Sequence, residues 1–85
     1  MSAQRIFFIY TCPDCPFCDK AKLFLNSLGY RFISKELDWD DTTLSFLKEQ
    51  MNWTTVPIIF EIENKDYKFI GGHTDLVKYL GSDND

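Results

Sequence analysis

The chain has no apolar run long enough to enter or cross a membrane. Its longest uninterrupted run, residues 6–10, has five apolar or aromatic residues. A signal-peptide core needs about seven or more apolar residues, and a membrane span needs about 20. We therefore expect no secretory leader, no membrane partner and a cytoplasmic location.

Positive charge is also scarce. Nine Lys and Arg face 13 Asp and Glu, for a formal net charge of −4. The acids concentrate in residues 36–41 and in the C-terminal tail. A nucleic-acid-binding surface needs basic residues to neutralise phosphates, and no basic stripe is present. The composition therefore argues against nucleic acid as a partner.

Cysteines are few, and all three lie within residues 12–18. A disulfide framework would spread an even number of cysteines along the chain, so this cluster indicates a local site. The 85 residues are 45% hydrophobic and include eight Phe. This is enough apolar surface for one hydrophobic core without stabilising disulfide bonds. We expect a single domain over residues 1–85, with a polar tail from about residue 81.

Apolar spacing predicts seven elements in the order β-α-β-α-β-β-α. Strands joined by a helix should be parallel, and the final hairpin must be antiparallel. The prediction is an α/β fold with one four-stranded mixed sheet flanked by three helices. The predicted elements are strand 5–10, helix 16–28 ending at Gly29, strand 30–37, a helix capped by Asp40 or Asp41 with Leu44, Leu47 and Met51 on one face, strands 58–62 and 67–70, and helix 74–80.

The cysteines form two overlapping C-x-x-C pairs, Cys12/Cys15 and Cys15/Cys18. A helix starting at Pro13 would place Pro16 at its fourth position, at a cost of about 3 kcal/mol. A helix starting at Pro16 has no such conflict, and it makes Cys15 the N-cap. Free N–H groups and the helix dipole there stabilise a thiolate. Cys18, one turn on, can attack a mixed disulfide formed on Cys15, so Cys15/Cys18 is the predicted redox pair.

A metal site is the alternative use of this cluster. C-x-x-C-x-x-C spacing can hold an iron–sulfur cluster, and the three cysteines with His73 supply four zinc ligands. A helix start at Cys15 and Cys18 suits neither arrangement well. We therefore expect no metal.

Three motifs together resemble a dithiol glutaredoxin over residues 5–80. They are CPFC after the first strand, TVP before a later strand and GGHTDL opening the last helix. The resemblance implies a thioredoxin fold and a glutathione-dependent thiol–disulfide oxidoreductase. Such an enzyme would reduce protein disulfides and glutathione mixed disulfides as a cytoplasmic monomer, with glutathione as co-substrate.

The resemblance also implies a role for particular positions. Cys15 would be the nucleophile and Cys18 the resolving cysteine, beside a cis Val56–Pro57 bond. Thr74 and Asp75 would receive the γ-glutamyl end of glutathione or, more simply, cap the last helix. The residues assigned to glutathione binding are Cys12, Phe17, Thr55, Val56, Pro57, Gly72, Thr74 and Asp75.

The chain departs from the family pattern around this site. Cys12 stands where Lys or Arg is common, Asp14 precedes the nucleophile, and Trp53 and Thr54 replace a polar or basic residue upstream of TVP. These changes should weaken the thiolate and the capture of the glycine carboxylate of glutathione. Lys20 or Lys22 are the candidates to compensate. Two other functions therefore stay open. One is a glutathione-assisted iron–sulfur cluster carrier, in which Cys15, with or without Cys12, and external glutathione hold a two-iron cluster between protomers. The other is a thioredoxin-like reductant fed by a reductase.

Overall fold

The computed structural model describes residues 5–82, and its elements follow the predicted order. Observed ends coincide with the predicted ends or differ from them by one or two residues. The last helix runs on through Ser82, and residues 83–85 of the predicted polar tail lie outside the described range. The elements are β1 (Ile6–Thr11), α1 (Pro16–Ser27), β2 (Arg31–Glu36), α2 (Thr42–Met51), β3 (Ile58–Glu63), β4 (Asp66–Gly71) and α3 (His73–Ser82).

The four strands form one mixed sheet in the order β2-β1-β3-β4. β1 pairs parallel with β2 and antiparallel with β3, and β3 pairs antiparallel with β4. The predicted mixed sheet is confirmed. Tyr10, near the end of β1, pairs with Ile58 at the start of β3. The segment after β1 and the segment before β3 therefore lie next to each other at the same end of the sheet.

Alternation along β1 divides the core into two clusters, because successive side chains point to opposite faces. Phe7 and Ile9 are fully buried against Leu25 of α1 and Leu76 of α3. On the other face, Tyr10 packs against a second cluster of buried residues, which we call the lower cluster. The lower cluster consists of Cys12, Leu37, Leu44 and Ile58.

Local capping explains where the helices begin and end. The carboxylate of Asp41 accepts the N–H of Thr43 at 2.7 Å, so Asp41 is the cap of α2. Gly29 follows α1 with φ +78°, a conformation in which glycine is favoured. Of the helices within residues 5–82, none is long and apolar enough to span a bilayer.

Glu61 is a buried carboxylate on β3, 3% exposed. It accepts hydrogen bonds from Arg5 Nε and from the hydroxyl of Tyr79 on α3. Burial favours the neutral acid, but the hydrogen bonds from Arg5 and Tyr79 outweigh burial and lower the pKa of Glu61. The ionised group on β3 therefore links the residue just before β1 to α3.

Candidate active site

The N-terminus of α1 holds the cysteine pair. Cys15 precedes the helix in an extended conformation, and its Sγ accepts the N–H of Cys18 at 3.1 Å. The prediction that Cys15 is the N-cap is confirmed. The two cysteines form a disulfide with a Cα–Cα distance of 5.2 Å. Cys15 is 8% exposed and Cys18 1%, so Cys15 is the more accessible sulfur.

This arrangement suits a redox dithiol. After reduction, the N–H of Cys18 and the positive end of α1 stabilise negative charge on the outer sulfur, that of Cys15. The inner thiol of Cys18 is within bonding reach of it, as the disulfide shows. The pair can therefore accept and release two electrons without a large movement of the backbone.

The loop before β3 lies beside the cysteines, and its predicted cis Val56–Pro57 bond is present. Together with α1 and the start of α3 it encloses a cavity of about 200 Å³, which we call the first cavity. Seven of the eight residues assigned to glutathione line it. They are Phe17, Thr55, Val56, Pro57, Gly72, Thr74 and Asp75, joined by Trp53 and His73.

The start of α3 differs in detail from the expected cap. The helix begins at His73, so Thr74 lies inside its first turn and does not cap it. Asp75 does cap it, because its Oδ2 accepts the N–H of Gly72 at 3.0 Å. Gly71 has φ +123°, and a Cβ there would lie only 2.7 Å from Asp75 Oδ2. Only glycine at position 71 fits this turn.

Cys12 is not brought to the cavity. It is 3% exposed and belongs to the lower cluster. It lines neither the first cavity nor the second cavity, which is the one lined by Cys15. Burial raises the pKa of its thiol, as do the nearby carboxylates, while the charge of Lys48 lowers it. β1 continues through Thr11, and Cys12, directly after it, packs in the lower cluster, so in this structure its thiol does not face either cavity.

A second cavity of about 310 Å³ is lined by Cys15 itself. Its walls include Lys48 of α2 and Trp39, whose indole N–H donates to the carbonyl of Pro13 at 3.1 Å. Sequence analysis missed both residues. Trp39 is separated from Pro13 by 26 residues, and the only signal for Lys48 was its position in the last turn of a helix.

The three cysteines and His73 are not gathered into one four-ligand group in this structure. His73 lies beside Phe17, with ring centroids 6.0 Å apart, while Cys12 is buried in the lower cluster. Between residues 5 and 82, no group of three or more His, Cys, Asp or Glu side chains is placed to hold a metal ion.

A disulfide-forming C-x-x-C at a helix N-terminus, beside a cis-proline loop on a four-stranded mixed sheet, defines a thiol–disulfide oxidoreductase of the thioredoxin fold. The family model for glutaredoxin matches residues 7–66. The chain belongs to the glutaredoxin family.

Curated relatives and solved structures agree with this assignment. The chain is 37% identical to glutaredoxin 3 of Escherichia coli over 68 residues, covering 80% of this chain and 77% of that protein. It is 41% identical over 77 residues to the hybrid peroxiredoxin hyPrx5 of Haemophilus influenzae, covering 91% of this chain but only 30% of that longer protein.

Two solved glutaredoxins share the fold. Glutaredoxin 1 of Francisella tularensis, complexed with cacodylate, superposes with a TM-score of 0.73 at 28% identity, over 94% of this chain and 95% of its own. A buckwheat glutaredoxin–glutathione complex superposes with a TM-score of 0.76 at 22% identity, over 91% of this chain and 69% of its own. The thioredoxin-fold prediction is confirmed.

Proposed function

We propose that the protein is a glutathione-dependent enzyme that reduces protein disulfides and glutathione mixed disulfides. The observation that carries this proposal is the first cavity. It joins the cis-proline loop and the N-terminus of α3 on the side of α1 where Phe17 follows the nucleophile Cys15. A ligand that extends from that cavity into the second one, which Cys15 lines, can place a sulfur against Cys15 while its anionic end meets the free N–H groups of α3.

The chemistry proceeds by thiol–disulfide exchange. The Cys15 thiolate attacks one sulfur of a substrate disulfide, forms a mixed disulfide and releases the other sulfur as a thiolate, which takes up a proton. Cys18 then loses its proton and attacks Cys15 Sγ, giving the Cys15–Cys18 disulfide and the second substrate thiol. Two glutathione molecules restore the dithiol and leave as glutathione disulfide.

A glutathione mixed disulfide needs only Cys15. Attack on the glutathione sulfur releases the protein thiol and leaves glutathione bonded to Cys15. A second glutathione thiolate attacks this bond, forms glutathione disulfide and regenerates the Cys15 thiolate. Cys18 is not required for this cycle.

We assign the parts of glutathione to the cavity from the positions of its walls. The backbone of Val56 pairs with the cysteinyl residue in the manner of a strand. The N-terminus of α3 at Thr74 receives the γ-glutamyl carboxylate. One oxygen of Asp75 is engaged by Gly72, and the other accepts from the γ-glutamyl ammonium. Because a structural neighbour is a glutaredoxin–glutathione complex, glutathione is a reasonable ligand for this fold.

A peroxiredoxin is the protein substrate we infer first. The hybrid peroxiredoxin of Haemophilus influenzae contains a segment 41% identical to this chain, and that segment is 30% of its length. A redox domain joined to a peroxiredoxin is well placed to reduce it, because the effective concentration of two linked domains is high.

We place the protein in a reducing cytoplasm, as a monomer with a single domain.

Two cysteine variants and two electron donors test the proposal. Cys15→Ser should lose all activity, because a serine hydroxyl is neither ionised at neutral pH nor a thiol nucleophile. Cys18→Ser should still reduce a glutathione mixed disulfide but fail on a protein disulfide. Turnover supported by a thioredoxin reductase and not by glutathione would contradict the proposal, as would residual activity in Cys15→Ser.

A further inference from the structure

The departures from the family pattern leave the glycine carboxylate of glutathione without its usual cation. The position three residues before the nucleophile is Cys12, which is buried and carries no positive charge. Trp53 stands where a polar or basic residue is common upstream of the cis-proline loop, and Asp14 adds a negative charge beside Cys15. A carboxylate arriving here would meet repulsion unless another cation faces it.

Lys20 and Lys22, the lysines expected from the sequence to supply the missing positive charge, interact with other residues of α1. The ammonium of Lys20 lies 5.1 Å above the ring of Phe17, and Lys22 pairs with Asp19 at 3.8 Å. Neither is among the residues that line the first or second cavity. They therefore do not present their charge to a ligand bound at Cys15.

Lys48 is placed differently. Among the lysines and arginines of residues 5–82, it alone lines either cavity, in the wall of the second cavity together with Thr54, Thr55 and Val56. Lys48 is half-buried. Among residues 5–82, its ammonium forms no ion pair with a carboxylate. Its charge reaches the cysteine segment, since it opposes the effects of burial and of nearby carboxylates on Cys12.

The first and second cavities share Phe17, Thr55 and Val56, so they form one groove past Cys15. One end of the groove has the N-terminus of α3, and the other has Lys48, in a wall that also includes Asp14. Glutathione carries one carboxylate at each of its ends. A groove with a helix N-terminus at one end and an ammonium at the other therefore matches its charge distribution.

We propose that Lys48 binds the glycine carboxylate of glutathione, so that α2 supplies the cation which the segment before the nucleophile lacks. This assignment rests on the proposed function. Lys48 is a specificity-determining residue: it distinguishes a glutathione disulfide from one whose glycine carboxylate is uncharged.

The test compares two substrates in four proteins. The substrates are a reporter thiol joined by a disulfide to glutathione, and the same disulfide made with glutathione amidated at its glycine carboxylate. The proteins are the wild type, Lys48→Met, Lys48→Arg and Lys65→Met. Lys65 is an exposed lysine in the β3–β4 turn, at the far end of the sheet from Cys15, so its variant controls for the loss of one charge.

The wild type and Lys65→Met should use the carboxylate substrate with a kcat/KM about three- to fivefold higher than the amide, the range of a solvent-accessible ion pair. Lys48→Met should lose this preference by slowing on the carboxylate substrate alone, and Lys48→Arg should keep it. The preference should shrink as salt rises.

Three outcomes would overturn the assignment of Lys48. They are an undiminished preference in Lys48→Met, an equal slowing of both substrates in that variant, and an equal loss of preference in Lys65→Met. Failure of the proposed function looks different, because the wild type would then reduce a cysteine mixed disulfide as fast as the glutathione one.

Discussion

Replacing Gly71 by alanine should destabilise the protein through two contacts that the structure specifies. Gly71 has φ +123°, a conformation that residues with a Cβ rarely adopt. The added Cβ would also lie 2.7 Å from Oδ2 and 2.8 Å from Cγ of Asp75. That carboxylate cannot stay where it caps α3 through Gly72.

The expected cost combines backbone strain and a lost cap. A residue held in such a backbone region costs about 1–3 kcal/mol, and a lost helix cap costs about 1 kcal/mol. Gly71→Ala should therefore lower the free energy of unfolding by about 2–4 kcal/mol. In a domain of this size, 1 kcal/mol shifts the melting temperature by about 4–8 °C, so Tm should fall by about 8–32 °C.

Two other glycines provide matched controls in the same thermal and urea unfolding assays. Gly72→Ala should be nearly neutral, because its Cβ would meet its nearest neighbours at 3.7 Å and its φ is not left-handed. Gly29→Ala should cost only the strain of its φ of +78°, about 1–2 kcal/mol, since nothing lies within 4 Å.

A double variant tests the clash itself. Asp75→Ala removes the two carboxyl atoms that the new Cβ would strike, although its own Cβ, at 2.9 Å, remains. Because both variants lose the same bond from Gly72, the two substitutions together should cost about 1 kcal/mol less than the sum of the separate effects. Strict additivity would refute the proposed contact. A Gly71→Ala protein that melts within a few degrees of the wild type would refute the whole explanation.

Two further predictions concern buried groups. In the reduced protein at neutral pH, iodoacetamide should modify Cys15 first and leave Cys12 nearly untouched, because Cys12 is buried and its pKa is raised. Equal labelling of the two cysteines in a peptide map would contradict this prediction. Glu61→Gln should lower the free energy of unfolding by about 1.5–3 kcal/mol at pH 7, the value of hydrogen bonds to a charged group. Because the pKa of Glu61 is lowered on folding, that stability is present above the unfolded pKa and lost as pH falls through the folded value. The difference between wild type and variant should therefore narrow in acid, and a constant difference in urea unfolding from pH 7 to pH 3 would refute the assignment.

The element order and the position of the redox cysteines could be predicted from the sequence alone, by rules that concern residues close together in the chain. The element order followed from apolar periodicity, because strands and helices repeat at different spacings. The choice of Cys15 as N-cap followed from Pro16, since proline is tolerated at a first helical position and costly at a fourth. Both features depend on residues close together in the chain, and both were confirmed.

Tertiary structure decided which side chains face the site. The sequence places Cys12 three residues before the nucleophile, but only the structure shows that it packs with Leu37, Leu44 and Ile58 from three separate segments. Lys48 was overlooked because it is eight residues from Val56 in sequence, and only the position of α2 brings it to the wall of the groove. Periodicity predicts which face of an element is buried, but the packing of distant segments determines which groups meet, because those contacts depend on how the elements are oriented in space.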